Sequence, residues 1–346
     1  MTPWSVLTGL SSCLSRSATP NPHPQRSPVA LADVARELAA HDDYLVTAHV
    51  NPDGDAVASL LGMVSLLRAM GKRCVAVCQD PVPERYRFLP RWGEIQNVEE
   101  ARGHGPFRSV VVLDAGEFDR IGEVKSLLTD EMPVINIDHH ISNPGFGAGA
   151  WVDTTASATA EMLHALFRHF KLLPDSDTAM ILYVGIMTDT GRFRFSNTSS
   201  RAFATVAALV ERGADPAYAA EKVYHNTDIR ELKILGNVLQ RMQVTEDGRI
   251  ATSYLTLDEA DADSEGFVDH VASVRGIEVA ALLKQVRKDY FKVSFRSANE
   301  INVSDIAGVF GGGGHRKAAG ARLEGNLEEV RRNVVEACER ALADRG

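Results

Sequence analysis

Four cysteines in 346 residues are too few for a disulfide framework in a chain of this length, which excludes the small secreted scaffolds and makes a reducing cytoplasm the default compartment. Cys74 and Cys78 fall on one expected strand, would face the same side, and read as buried core thiols rather than a metal pair. Apolar runs long enough to span a membrane are absent. So is an excess of positive charge. With a net charge of -9 the chain lacks the many Lys and Arg whose counterion release drives the coating of duplex nucleic acid. Small anionic substrates stay open wherever positive charge is local. No internal repeat occurs. The first 28 residues, rich in Ser and Pro, lack the basic segment and long apolar core of a secretory signal. They read as a disordered tail, or as a start codon assigned too early, and stand outside the fold.

What is present is apolar content of 45%, enough for a core in each of the two domains that the length favours. From Leu31 the pattern alternates: helix 31–41, strand 44–49, helix 55–70, strand 73–78, strand 109–113, a short helix near 118–128 and strand 134–137. Near-continuous apolar strands alternating with helices predict a parallel sheet covered on both faces, an α/β unit. Helices follow near 156–171, 176–188, 199–212, 216–225 and 228–241, the last polar over much of its surface and read as a connector. Beyond it the grammar changes. Met242 to Thr245 and Arg249 to Leu257 flank the turn Glu246 Asp247 Gly248 as a hairpin. Strands near 277–285 and 290–296, a helix near 303–310, a Gly-rich loop and a helix from 326 complete a smaller α+β unit. The expected divisions are a tail over 1–28, a first domain over 29–225, a helical connector over 226–241 and a second domain over 242–346.

The chain is organised around His49 Val50 Asn51 Pro52 Asp53 Gly54 Asp55, which joins the strand beginning at Tyr44 to the helix Ala56 to Met70. In an open parallel sheet such a turn lies at the carboxyl edge of the strands, where ligands bind. Gly54 lets the backbone turn between two carboxylates, and Asp55 falls where a helix N-terminus favours negative charge. Taken alone, the stretch fits turn and N-cap chemistry as well as it fits metal ligation. Asp114 directly follows one apolar strand, Asp138 His139 His140 directly follow another, and Asp189 ends an apolar helix. Singly, Asp114 reads equally as an N-cap and Asp189 as a helix-end turn residue. In a doubly wound sheet these ends converge on one crevice holding His49, Asp53, Asp55, Asp114, His139 and Asp189. Burying so many carboxylates without cations would be very costly, so the joint pattern predicts two divalent ions. Carboxylates with one imidazole per ion suit Mn(II), Co(II) or Mg(II) better than a thiolate-loving metal. Two such ions about 3.5 to 4 Å apart form the clamp used for in-line phosphoryl displacement. The expected chemistry is hydrolysis of a phosphoester or phosphoanhydride.

In this order, His49-x-Asn51-Pro52-Asp53-Gly54-Asp55, Asp114, Asp138-His139-His140 and Asp189 resemble the four motifs of the DHH phosphoesterases. Ser304 to Ala321, with Gly311 Gly312 Gly313 Gly314 His315 Arg316 Lys317 Ala318 Ala319 Gly320, is similar to the Gly-rich signature of the companion DHHA1 domain. The resemblance implies a parallel-sheet DHH domain and a smaller α+β DHHA1 domain joined by a helical connector. Residue by residue it implies one metal on His49, Asp53 and Asp114, and another on Asp55, Asp114, His139 and Asp189. Asp114 is then shared, and belongs with His140 and Asp138 to the catalytic set. His140 faces the scissile phosphate, while Asp138 orients the histidines, a role metal sites commonly need filled. Arg296, an exposed strand charge by default, is implied to lie in the cleft with His315 and to hold the substrate's phosphate or terminal nucleotide. Gly312, Gly313 and Gly314 can bring backbone N–H groups close to an anion, although the loop carries neither a Walker pattern nor G-x-G-x-x-G. Phe193 and Phe195 read as core aromatics rather than base-stacking platforms.

Within the family, the chain looks unlike the long RecJ exonucleases, and its C-terminal loop differs from that of family II inorganic pyrophosphatases. It is similar to the bifunctional oligoribonuclease and pAp phosphatase group, also called nanoRNases. That similarity implies hydrolysis of short oligoribonucleotides and dinucleotides to mononucleotides, and of pAp to AMP, with Mn(II) first and Mg(II) or Co(II) as alternatives. Hydrolysis of cyclic di-AMP or of linear pApA and pGpG, a RecJ-like exonuclease and a noncatalytic nucleotide sensor are the competing readings. The expected partners are short RNA and small nucleotides, without long duplex nucleic acid or membrane, and with a homodimer left open.

Overall fold

Five short strands, β1 (Tyr44–Ala48), β2 (Cys74–Val77), β3 (Ser109–Leu113), β4 (Val134–Asp138) and β5 (Gly149–Val152), pair in parallel in the order β2-β1-β3-β4-β5. The computed structural model describes residues 31–262, 264, 266–297 and 301–343, so the expected tail lies outside the described residues. β1, β3 and β4 are buried along their whole length, as continuous β-branched runs require when both faces are covered. Among the described residues, eight α-helices precede the second sheet: α1 (Leu31–Ala40), α2 (Gly54–Ala69), α3 (Val98–Ala101), α4 (Thr159–His169), α5 (Ser176–Asp189), α6 (Ser200–Glu211), α7 (Pro216–Tyr224) and α8 (Ile229–Gln240).

α2 is apolar nearly all round and buried from Gly54 to Leu67, because α4 and α5 pack against it from the side away from the sheet. Gly185 makes that approach feasible. A Cβ there would lie 2.7 Å from the Ala160 Cβ, and 2.9 Å from both the Ala58 Cβ and Asp55 Oδ1. The bare backbone thus lets α5 close on α2 and α4 beside a buried carboxylate. Two local expectations are corrected. The helix expected near 118–128 is a 3-10 stretch broken at Gly122, whose φ is 60°, a left-handed conformation at odds with a continuous α-helix. β5 was not expected, since four residues among glycines carry little strand signal; pairing with β4 supplies it.

The second sheet is mixed, in the order β10-β11-β9-β8-β7-β6. Its strands are β6 (Gln243–Val244), β7 (Ile250–Leu255), β8 (Val279–Arg287), β9 (Tyr290–Ser297), β10 (Gly313–Gly314) and β11 (Ala318–Glu324), with β7 and β8 parallel and the other neighbours antiparallel. α10 (Val303–Val309) and α11 (Leu327–Ala343) cover one face over Phe291, Val293, Phe295 and Leu323. α8 and α9 (Phe267–Ala272) cover the other over Ala280 and Leu282. The connector helix α8 is therefore docked on this sheet through Ile234 and Val238. The stretch read as a Gly-rich loop is in fact partly strand: β10 and β11 form a hairpin that β9 templates. Short Ala and Gly side chains hide a strand whose stability comes from its neighbours. No helix among the described residues is long and apolar enough to cross a membrane. The architecture is the expected α/β unit followed by a smaller α+β unit.

Candidate active site

β1 has β2 on one side and β3 on the other, so the strand order reverses there and a crevice opens beyond the carboxyl ends of β1 and β3. His49 follows β1 and Asp114 follows β3. Asp114 has a φ of 52°, a left-handed conformation that Asp tolerates better than most residues and that clusters at functional sites. Asp53 caps α2, its Oδ1 accepting the N–H groups of Asp55 (3.1 Å) and Ala56 (3.0 Å). Asp138, His139 and His140 end or follow β4, and Asp189 is the last residue of α5.

These groups meet. His49 Nε2 lies 3.5 Å from Asp114 Oδ2 and 3.8 Å from Asp53 Oδ2. His139 Nε2 lies 3.5 Å from Asp114 Oδ1, 3.5 Å from Asp189 Oδ2 and 3.9 Å from Asp55 Oδ2. Both imidazoles are fixed in the same tautomer: His49 Nδ1–H donates to Val50 O (2.9 Å) and His139 Nδ1–H to Ala156 O (3.3 Å), leaving each Nε2 directed at the carboxylates. His139 Nε2 is buried without a hydrogen-bond partner. An orphaned imidazole nitrogen facing three carboxylates at distances too long for hydrogen bonds fits a cation between them. Among the described residues, Asp114 belongs to three groups of donor atoms able to hold a metal, with His49 and Asp53, with Asp55 and His139, and with Asp138 and His140. His140 Nδ1–H donates to Asp138 Oδ1 at 2.7 Å, and Asp138 Oδ2 accepts from Asn143 Nδ2 at 2.6 Å.

Without cations, protons balance the charge of this cluster. Burial alone would lower His49, but the Asp114 and Asp53 carboxylates prevail and push it up to about 10. His139 is raised for the same reason, by Asp189 and Asp114 against its burial. Burial pushes Asp189 up to about 7 and lifts Asp55 as well, while His139 and His49 overcome burial to hold Asp114 well below the usual carboxylate range. Metal ligation needs neutral imidazoles, so an ion held here would have to expel the proton that His49, raised to about 10, carries at pH 7. Apparent affinity should therefore rise with pH through the neutral range, by about tenfold per unit for each proton released. Titration calorimetry in buffers of different ionisation enthalpy should show at least one proton leaving per protein; binding heats independent of the buffer would contradict this charge balance.

Residues 43–186 match the model of the DHH family, N-terminal domain, and residues 247–344 that of the DHHA1 domain. Over 310 residues, 89% of this chain and 93% of the relative, the chain is 35% identical to the bifunctional oligoribonuclease and PAP phosphatase NrnA of Thermus thermophilus. This chain belongs to the DHH family. The protein of the same name in Bacillus subtilis is 26% identical, with 84% of this chain and 92% of the relative covered. An exopolyphosphatase-related protein from Bacteroides fragilis has a solved structure that superposes with a TM-score of 0.80 at 26% identity, covering 91% of this chain and 96% of that one.

The DHHA1 unit adds its own side chain to the DHH site. His315, in the β10–β11 hairpin, stacks on His140 with ring centroids 4.3 Å apart and lies 4.9 Å from the His139 ring. Burial, helped by the neighbouring histidines, depresses His315 to about 3, so it meets a ligand as a neutral ring. Gly312 and Gly314 have structural reasons of their own: a Cβ would lie 2.1 Å from Gly320 O at Gly312 and 2.6 Å from Ala318 O at Gly314. At Gly313 the same atom meets nothing within 4 Å. Arg296 is half-buried rather than exposed, and its Nε donates to Asp269 Oδ1 at 2.8 Å. It sits opposite Ala318 at the His315 end of β9. Cys74 and Cys78 pack in the first core, and neither joins a donor group among the described residues. Phe193 packs against that core and stacks on Phe203, and Phe195 lies in van der Waals reach of Gly191. Sequence reasoning missed Thr159, which bonds to Asp55 and Asp114, and Glu161, Asn197 and Arg201, which hold the turn that carries it; among small residues only the run Ser157 Ala158 Thr159 ahead of Glu161 and an apolar helix hinted at a capped turn.

Proposed function

We propose that this DHH-family chain hydrolyses short oligoribonucleotides and dinucleotides to mononucleotides, and pAp to AMP, with two divalent ions. The observation that carries the reading is the convergence of six carboxylate and imidazole donors beside His140, over which the second unit stacks His315. The similarity to relatives named for those two activities supports it along most of the chain. We assign His49, Asp53 and Asp114 to one ion, and Asp55, Asp114, His139 and Asp189 to the other. An oxygen-rich set with one imidazole per ion favours Mn(II), with Mg(II) and Co(II) next. Such ions, when bound, supply an activated water and take up charge on the phosphate oxygens. His140, oriented by Asp138, presents Nε2 to the reacting phosphate. The units divide at 226–241, so that the first carries the chemistry and the second captures substrate with Arg296, Gly312, Gly313, Gly314 and His315. Unpaired Cys74, Cys78 and Cys338 suit a reducing cytoplasm.

The test is a panel with Mn(II): RNA of two to five nucleotides, pAp, linear and cyclic di-AMP, pyrophosphate and a long single strand. Dinucleotides and pAp should be turned over fastest. Faster hydrolysis of cyclic di-AMP would move the protein to second-messenger turnover, equal rates per molecule on long strands to a RecJ-like exonuclease, and no metal-dependent turnover to a nucleotide sensor.

Substrate capture by Arg296 requires it to share or exchange its Asp269 partner, and a guanidinium can do so with its planar fork where an ammonium cannot. Arg296→Lys, Arg296→Ala and His315→Ala should each lower kcat/KM on dinucleotides by roughly tenfold to a hundredfold, the worth of a charge-assisted contact of about 1.5 to 3 kcal/mol. Metal content should stay at the wild-type level, and an activated aryl phosphodiester that barely reaches the second unit should be little affected. Unchanged dinucleotide kinetics in all three would show that this unit is not the capture domain.

A further inference from the structure

Asp55 and Asp114 arrive at the site from different elements, the first turn of α2 and the end of β3, yet one residue touches both. α4 begins after Ala158, whose extended backbone stands at the N-cap with a side chain unable to cap. Asp55 fills that role from across the fold: its Oδ2 accepts the Thr159 N–H at 2.6 Å and its Oδ1 the Ala160 N–H at 3.0 Å. The Thr159 hydroxyl donates to Asp114 Oδ1 at 3.1 Å. Thr159 is wholly buried, so its single hydroxyl proton meets Asp114 with no water competing for it.

The turn that carries Thr159 is itself held from behind. Glu161, buried, accepts from the Ser157 N–H (2.7 Å) and hydroxyl (2.6 Å). Arg201 of α6 pairs with Glu161 and also reaches Asp153 at 3.0 Å. Asn197 Nδ2 donates to Ser157 O (2.9 Å) and to Asp189 O (3.1 Å), tying the same turn to the end of α5. Ser157, Thr159 and Glu161, the buried members of this network, are thereby held in one geometry.

We propose that Thr159 is a positioning residue of the metal centre, its N–H and hydroxyl fixing the Asp55 and Asp114 carboxylates relative to each other so that both face the same ions. The proposal rests on the two-ion reading. A carboxylate oxygen that accepts one hydrogen bond keeps a second lone pair for a cation, and partners of this kind commonly set metal affinity through ligand orientation. Thr159→Val keeps the shape and the N–H bond to Asp55 but deletes the hydroxyl, whereas Thr159→Ser keeps both bonds.

Mn(II) affinity should be measured by titration calorimetry, and the melting temperature of the metal-free protein beside it. T159V should bind Mn(II) about tenfold to a hundredfold more weakly, with the metal-free melting temperature shifted by only about 2 to 4 °C, as one lost hydrogen bond allows. T159S should restore affinity to near the wild-type value. T159A, which places no methyl against the Asp114 carboxylate, carries the same expectation as T159V should the latter not fold. Wild-type affinity in T159V or T159A overturns the proposal, as does a loss in T159S equal to that in T159V. A wild-type protein that takes up no divalent ion overturns the two-ion reading and the proposal with it.

Discussion

Replacing Asp114 by Asn should lower kcat on dinucleotides and on pAp by a factor on the order of a thousand or more, and excess Mn(II) should not restore it. The size of the effect follows from position. Both Asp114 oxygens face imidazoles, Oδ2 toward His49 and Oδ1 toward His139, each at 3.5 Å. Its surroundings also keep Asp114 ionised, since His139 and His49 outweigh its burial. Asn occupies nearly the same volume and can keep the hydrogen bond from Thr159, so folding should survive. What it removes is the negative charge between two sets of donors, and an amide oxygen is a poor ligand where a shared carboxylate is needed. Elemental analysis should find less than the wild-type metal content after desalting. Cys74→Ala, a change in a half-buried thiol of the first core, should leave activity and metal content close to wild type. Full turnover by Asp114→Asn in the presence of excess chelator would end the two-metal reading.

Why Asp114 could be singled out from sequence, and Thr159 could not, is a matter of which signals are local. The strand Ser109 to Leu113 is a continuous apolar run, and an Asp directly after it lands at the carboxyl edge of a parallel sheet whatever the rest of the fold does. The same holds for His49 after β1 and for His139 after β4. Convergence of these ends follows from the doubly wound topology, and so the cluster was foreseeable before any distance was known. Thr159 acquires its partners from residues 104 and 45 positions away, Asp55 and Asp114, and no local pattern carries that. β11 was hidden because Ala318 Ala319 Gly320 Ala321 have little strand propensity of their own; its register with β9 is a tertiary fact. The left-handed φ of Asp114 and the pairing of Arg296 with Asp269 were equally out of reach. Both depend on what surrounds the residue rather than on what precedes it in the chain.

Asp138→Asn should lower kcat by a factor on the order of 10² to 10⁴, the range expected when a catalytic imidazole loses its proper tautomer, while both ions stay bound. Asp138 is fully buried and uses both oxygens: Oδ1 takes the His140 Nδ1 proton and Oδ2 takes the Asn143 amide. Burial alone would raise Asp138, but the His140 charge and hydrogen bond overcome it and hold the carboxylate below its ordinary value. His140 is lifted in turn against its own burial by Asp138. Asn143 cannot readily reorient to relieve a change here, because its Oδ1 accepts the Gly145 N–H at 2.8 Å while its Nδ2 also reaches Asn136 Oδ1 at 2.9 Å. An Asn at position 138 therefore has two poor choices. With its oxygen toward His140, its amide group meets the amide of Asn143, donor against donor. With the amide turned toward His140, Nδ1 must accept and can no longer hold a proton, so the ring stays a neutral imidazole and cannot become the imidazolium whose Nε2 proton the leaving oxygen needs. Either arrangement leaves His49, Asp53, Asp55, Asp114, His139 and Asp189 untouched, so metal content should be that of the wild type. The loss should be smaller on an aryl phosphodiester, whose leaving group departs without being protonated, than on a dinucleotide, whose ribose oxygen needs a proton. Wild-type kcat on dinucleotides in a fully metallated Asp138→Asn protein would remove His140 from the reaction, and an equal loss on both substrates would mean that His140 holds the phosphate and does not move a proton.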